Sequence, residues 1–358
     1  MKILILSNFG MGLYKFRMEL VQELINQQHK VYVSFPNDEY VSILEQEGCV
    51  YIESEVDRRG TNPIADFKLI FSYLKMISKV KPDIVLTYTI KPNIFGGIAC
   101  RITNTRYIPN ITGLGTALET DGILQKITLF LYRIGLRSAS NVFFQNESNR
   151  NFFLYKSLIK SNSEVIPGSG VNLEQHCYEE YPNDSGNIQL LFIGRIMKSK
   201  GVDELFEVAK FFKEQNSRIE FNIVGFCEEE YQDTLKTLNA DGVIKFHGQQ
   251  NDVHKFIKDC YAIILPSYHE GISNVLLEAA STGRPILATN VPGCKETFKE
   301  GISGFSFEAR STSSMINTIQ MFLSLPNEAR RQMGIEGRRK MENEYDRKIV
   351  VKKYLDII

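Results

Sequence analysis

The feature that most constrains the fold is a βαβ pattern that opens the chain and starts again halfway along it. "KILILS" is a continuous apolar run of strand length. It leads into the glycine-bearing loop "NFGMGLYKF", the helical pattern "RMELVQELINQQ" and a second apolar run, "KVYVSFP". Strand, glycine turn, helix and strand in that order begin a parallel sheet covered by helices. Further strands are expected at "DIVLTYT", "RYIPNIT" and "SNVFFQN", with helices at "FKLIFSYLKMISKV" and "QKITLFLYRIGLRSA" between them. Pro167, Gly168 and Gly170 then punctuate a linker in "EVIPGSGVN". The pattern restarts with strands at "IQLLFIGRI", "IEFNIVG", "VIKFHG", "YAIILPS" and "RPILATN", spaced by helical segments. The expected class is α/β: two doubly wound parallel-sheet domains, residues 1–170 and 171–341, facing a cleft.

Several function classes fall away. The six cysteines form no C-x-x-C pair, which argues against a zinc site or disulfide framework and suits a reducing cytoplasm. "MKILILSNFG" lacks the parts of a signal peptide. "ITLFLYRIGL" is interrupted by Arg133 and falls far below the roughly 18 apolar residues of a membrane span. A cytoplasmic protein is expected, touching a membrane only at its surface. Residues 1–170 carry 19 basic and 15 acidic side chains, leaving 23 and 27 for the rest; that asymmetry points an anionic partner towards the first half. No nucleic-acid partner is expected.

Three motifs carry chemistry. In "HEGISNVLLEAASTGRP", Ser273 is placed to cap a helix that Gly283 and Pro285 end. The carboxyl end of a parallel strand running into a helix N-terminus suits a phosphate, with the amides of Ser273, Asn274 and Val275 towards it. Glu270 and Glu278 flank that point. A carboxylate beside a phosphate is repelled, so each acid is better matched to neutral hydroxyls at the two ends of one ligand, as in a nucleotide sugar. In "IGRIMKSKGVDEL", Gly194 turns the chain after a strand, and Arg195 and Lys200 can neutralise a diphosphate before Gly201 starts a helix. "SNFGMGLYKFR" holds Gly10 and Gly12 but has Lys15 where a dinucleotide fingerprint needs its third glycine. An NAD-dependent oxidoreductase is therefore disfavoured.

These residues together resemble the retaining glycosyltransferases of family 4, over essentially the whole chain. The resemblance rests on Glu270/Glu278, on Gly194, Arg195, Lys200 and Gly201, and on the loop with Gly10 and Gly12. It implies the GT-B fold, two Rossmann-like domains, with a C-terminal helix of about 342–358 crossing back to the first. It implies Arg195 and Lys200 on the donor diphosphate, Glu270 on the donor sugar and Glu278 on the ribose. Glu270, Arg195 and Lys200 are then the catalytic set, with Gly10, Gly12, Gly194, Gly271, Ile272, Ser273, Asn274, Val275 and Glu278 binding the donor. Backbone around Phe246 to Gln249 falls where the family reads a nucleobase; His247 and His254 receive no role. The block "YTIKPNIFGGIACRITNTRYIPNITGLGTALE" is similar to a subgroup that extends polyprenyl-diphosphate-linked sugars in O-antigen or capsule assembly. It implies a nucleotide sugar, UDP-linked, and a lipid-linked saccharide as partners. Lys91, Thr112 and Gly113 are its acceptor or sugar-side candidates. Arg58, Arg59, Lys126, Arg133 and Arg137 would meet anionic lipid at the inner face of the cell membrane.

Thr112 stands where many relatives carry a histidine, so a histidine-based role is not carried over. The family's chemistry needs no protein nucleophile, and no D-x-D motif occurs; neither a cofactor nor a metal is expected. Two rivals remain: a non-catalytic nucleotide-sugar-binding partner subunit, and a transferase with a soluble acceptor.

Overall fold

A computed structural model describes residues 1–56, 60, 62–115, 118, 122–160, 162–183, 186–227 and 229–358. Arg58 and Arg59 lie outside the described residues. The chain divides into two compact units, Met1–Ser169 with Lys348–Ile358, and Gly170–Arg347.

The first unit is a seven-stranded sheet in the order β3-β2-β1-β4-β5-β6-β7, parallel throughout. Its strands are β1 (Lys2–Leu6), β2 (Lys30–Phe35), β3 (Val50–Glu53), β4 (Ile84–Tyr88), β5 (Arg106–Ile111), β6 (Asn141–Phe144) and β7 (Asn162–Val165). β4 is buried along its whole length, as an apolar run covered on both faces must be. The edge strands β3 and β7 are the two that the apolar pattern misses. "VYIE" and "NSEV" are short, and none of their residues is fully buried, so each lacks the long apolar run that marks a central strand. Two apolar clusters cover the two faces, and Val350 and Tyr354 of the C-terminal helix Arg347–Leu355 belong to one of them. Tyr354 is fully buried, with its ring 4.7 Å from that of Phe143. Its hydroxyl accepts a hydrogen bond from Asn110 Nδ2 at 2.8 Å, so the polar end of a large apolar side chain is not left unpaired.

The loop expected at Gly10 and Gly12 is helix. The first helix spans Gly10–Asn26 and begins right after Phe9. The Asp38 carboxylate accepts the Gly10 N–H at 2.7 Å. A carboxylate from a neighbouring segment thus occupies the head of the helix, where its dipole favours an anion.

The second unit is a six-stranded sheet in the order β10-β9-β8-β11-β12-β13, again parallel. Its strands are β8 (Ile188–Ile193), β9 (Ile219–Val224), β10 (Lys245–Phe246), β11 (Ala262–Leu265), β12 (Ile286–Thr289) and β13 (Gly304–Phe307). β13 is a third strand that the pattern misses, with only its first and last residues fully buried. In both sheets the order of strands turns back once, between β1 and β4 in the first and between β8 and β11 in the second. Such a reversal parts the crossover helices and opens a crevice outside the strands' carboxyl ends, the usual ligand position in open α/β sheets.

Candidate active site

At the reversal of the second sheet, the loop after β8 and the loop after β11 are locked together. Gly201 has φ +68°, and a Cβ there would stand 2.2 Å from the Pro266 carbonyl oxygen. Only glycine allows that approach. Tyr268 N–H donates to Ser199 O at 3.0 Å, a second tie between the loops. The tyrosine hydroxyl reaches on to Glu204 at 2.7 Å. The locking sets Lys200 Nζ directly on Glu270 Oε1, an ion pair whose side chains are 19% and 15% exposed. Ser267 Oγ donates to the same carboxylate oxygen at 2.8 Å. Two of the three catalytic candidates, 70 residues apart in sequence, are thus in contact. Arg195, the third, is exposed and has no partner among the described residues. Its planar fork remains available for a polyanion.

Glu270 is also held from behind. Gly293 has φ +86°, and a Cβ there would lie 2.5 Å from Glu270 O. Gly293 O accepts the Ser273 N–H at 2.9 Å, and its own N–H donates to Glu296 at 2.7 Å. This loop after β12 went unrecognised in sequence, where "RPILATN" reads as a strand and nothing flags the "VPGCKE" beyond it.

Ser273 does occupy the N-cap position of the helix Asn274–Ser281, but its hydroxyl makes no cap bond, and its amide is taken by Gly293 O. Among the described residues, the amides of Asn274 and Val275 heading the helix have no acceptor, and the buried Asn274 Oδ1 has no partner. A phosphate here therefore falls to two of the three expected amides. Ile272 is buried and Gly271 half-buried beside them. Glu278 is half-buried in the same helix, about 6 Å of rise beyond Asn274. Only that part of the interval from Glu270 is helical; the rest is loop.

Gly194 donates to Val224 O at 3.0 Å, and Gly225 to Gly248 O at 2.8 Å, so the turns after β8, β9 and β10 are linked in series. His247 is anchored on Asn222 at 2.8 Å, and its ring packs 4.8 Å from that of Phe256, the planes tilted by 54°. Burial lowers its imidazole below the ordinary value, which fits a neutral packing residue.

The first sheet carries a different set at its reversal. Thr89, just beyond β4, has φ +71°, a strained setting for a β-branched residue. Its Oγ1, and Oδ1 of Asn8 beyond the neighbouring strand β1, are buried without a hydrogen-bond partner among the described residues. Residues Pro92–Gly96 form a π-helical turn, a form that concentrates at functional sites. Asn93 pins it from beneath, accepting from Thr87 Oγ1 at 2.6 Å and donating to Asn110 O at 2.8 Å. Lys91, expected to be available to an acceptor, is instead paired with Asp66 at 2.7 Å. Helix Pro63–Val80 supplies that partner, a contact remote in sequence. Thr112 and Gly113 follow β5 half-buried, one strand outward from Thr89. Neither Asn8 nor Thr89 was legible in sequence as a site residue, because an ordinary asparagine and threonine carry no signal of strain or of an unpaired atom.

Comparison with known proteins gives this geometry its context. Residues 178–340 match the family model described as glycosyl transferases group 1, and residues 2–146 match glycosyl transferase 4-like. An N,N'-diacetylbacillosaminyl-diphospho-undecaprenol alpha-1,3-N-acetylgalactosaminyltransferase of Campylobacter jejuni is 26% identical, across 100% of this chain and 98% of its own. The capsular polysaccharide biosynthesis glycosyltransferase CapM of Staphylococcus aureus is 26% identical, over 82% of this chain and 80% of its own. Anabaena HepE, solved with UDP and glucose, superposes with a TM-score of 0.81 at 17% identity, over 99% of this chain and 98% of its own. The two sheets are those of the GT-B fold. Matched in both its units, the chain belongs to the glycosyltransferases, group 1 in its second unit and 4-like in its first.

Proposed function

We propose that the protein is a retaining, metal-independent transferase that moves a hexose or N-acetylhexosamine from a UDP-sugar to a polyprenyl-diphosphate-linked saccharide. The observation that carries the reading is the Lys200–Glu270 contact at the β8/β11 reversal, with Arg195 exposed on the same loop. When a donor binds, its diphosphate draws Lys200 and Arg195 into charge-assisted contacts. Glu270, held in place by Ser267 and the Gly293 loop, accepts from sugar hydroxyls. Glu278 takes the ribose, and the Asn274 and Val275 amides a phosphate oxygen. In the transfer, the bond from the sugar's C1 to the diphosphate oxygen breaks and the acceptor hydroxyl oxygen bonds to C1 on the same face. The acceptor's proton passes to the departing diphosphate. The protein supplies position and charge stabilisation, and the two cations do the work a metal does elsewhere.

The lipid-linked acceptor is supported by the Campylobacter relative's substrate and by two helices of the first unit. Helix Pro63–Val80 exposes Ile64, Phe67 and Phe71 beside Lys68 and Lys75. Helix Ile123–Gly135 exposes Ile123, Ile127 and Phe130 beside Lys126 and Arg133. Apolar stripes at helical spacing with flanking cations suit an anionic lipid surface. No helix among the described residues is long and apolar enough to cross a membrane.

The test is UDP release across a panel of UDP-hexoses and UDP-N-acetylhexosamines, with and without a short-chain polyprenyl-diphosphate sugar, in EDTA. Acceptor-dependent release in EDTA is the expected result. Tight UDP-sugar binding with neither transfer nor hydrolysis would instead favour a non-catalytic partner subunit.

A further inference from the structure

At the other end of the second sheet, a thiol, a carboxylate and an imidazole converge. Glu179 N–H donates to Thr282 O at 3.2 Å, just before β12 begins, whereas the donor residues follow the carboxyl ends of β8 and β11. His254 opens the short helix His254–Asp259, and its Nε2 lies 3.2 Å from Glu179 Oε1. Cys177 Sγ stands 3.9 Å from the same oxygen. The three donor atoms all lie within 4.8 Å of one another, the one such group among the described residues.

Those separations have the scale of a metal's coordination shell. Around a tetrahedral zinc with bonds of about 2.0–2.3 Å, ligand atoms stand roughly 3.3–3.8 Å apart. Both contacts to Glu179 are near that range, and Cys177 is exposed, so a rotamer change can close the remaining separation. The donor set is selective too. Thiolate and imidazole favour zinc over magnesium or calcium, which take oxygen ligands. Lys258 Nζ sits 3.4 Å from Glu179 Oε2, leaving Oε1 for the metal and offsetting one of the two anionic charges the ligands bring.

We propose that Cys177, Glu179 and His254 form a three-ligand site for a soft divalent cation, zinc foremost, with water in the fourth position. On binding, the Cys177 thiol gives its proton to solvent, and His254 presents the Nε2 lone pair with its proton on Nδ1. The bond to Glu179 is exchanged for a shared metal. The cation clips the segment 177–179 to the helix His254–Asp259, so its effect is on stability. Cysteine spacing alone gives no sign of such a site, because the ligands come from two segments remote in sequence. It is independent of the proposed function, whose chemistry uses none of the three residues.

The test uses the full chain stripped of metal and titrated with Co²⁺, then Zn²⁺. One equivalent of cobalt is expected to give tetrahedral d–d absorption and a thiolate charge-transfer band, both erased by zinc, and zinc is expected to raise the melting temperature. Cys177→Ser should abolish the charge-transfer band. His254→Gln should weaken zinc binding by more than the roughly 10–100-fold that loss of an outer-shell partner costs. Unchanged UDP binding and metal-free melting would show that both variants fold. No cobalt band in the unmodified chain would overturn the site. So would a band of equal intensity in Cys177→Ser, since the cation would then sit on another thiol.

Discussion

The two units place their chemistry at the same topological point and prepare it differently. At the β8/β11 reversal the acid is already satisfied: Lys200 rests on Glu270, and Ser267 and the Gly293 loop hold it, while Arg195 stays exposed beside them. At the β1/β4 reversal, Lys91 is paired, whereas Asn8 Oδ1 and Thr89 Oγ1 have no hydrogen-bond partner among the described residues, and Thr89 is strained. The lesson is one of pre-organisation. A partly buried ion pair is rigid and must be exchanged for a ligand's charges, whereas an unpaired buried hydroxyl or amide already costs free energy that a ligand's hydroxyl can recover. The first arrangement suits a diphosphate, the second a neutral polyol.

The sharpest way to break the comparison is Lys200→Ala. It removes the proposed diphosphate contact and leaves Glu270 without its ion partner, so kcat should fall by about 10²–10³-fold. A change confined to KM would mean that Lys200 does not act in the transition state. Arg195→Ala lacks the second penalty, because Arg195 has no partner among the described residues to strand. Its loss should be smaller, on the scale of one charge-assisted contact of about 1.5–3 kcal/mol in kcat/KM. Glu278→Ala should act on nucleotide binding, raising the Kd for UDP by about 10-fold, while Glu270→Ala mainly reduces sugar transfer. Equal binding and turnover in those two variants would undo the division between ribose and sugar.

Thr89→Gly sharpens the other side. Glycine accepts the positive φ, so relief of about 1 kcal/mol of strain should raise the melting temperature by roughly 2–4 °C. Loss of the hydroxyl should raise the acceptor KM and leave UDP affinity alone. A protein stabilised with its acceptor KM unchanged would reduce Thr89 to a strained turn. The smallest effect on chemistry is expected from Phe67→Asp with Phe71→Asp. It should diminish binding to anionic vesicles while turnover on a soluble acceptor analogue stays near the wild-type rate, and undiminished vesicle binding would remove helix Pro63–Val80 from the membrane reading.

Much of this was legible in the chain. Apolar runs such as "KILILS" and "IQLLFIGRI" announce central parallel strands because both faces must be covered. Glu270, Lys200 and the helix after Ser273 can be named from their places around strand ends. What escaped was whatever lacks a local signal. β3 and β7 lie at sheet edges with little to bury. Gly10 looks like a loop until Asp38 is seen to cap it.

The sequence by itself determined the class of the fold and the positions of the charged groups relative to their own strands, since periodicity and turn chemistry act over a few residues. Only the tertiary structure decided which groups meet. Lys200 finds Glu270, Lys91 finds Asp66, Gly293 supports the acid loop, and Cys177 comes to His254, all across long stretches of chain. Those pairings follow from strand order and the close approach of loops, and no local pattern encodes the distance between two turns that fold onto the same end of a sheet.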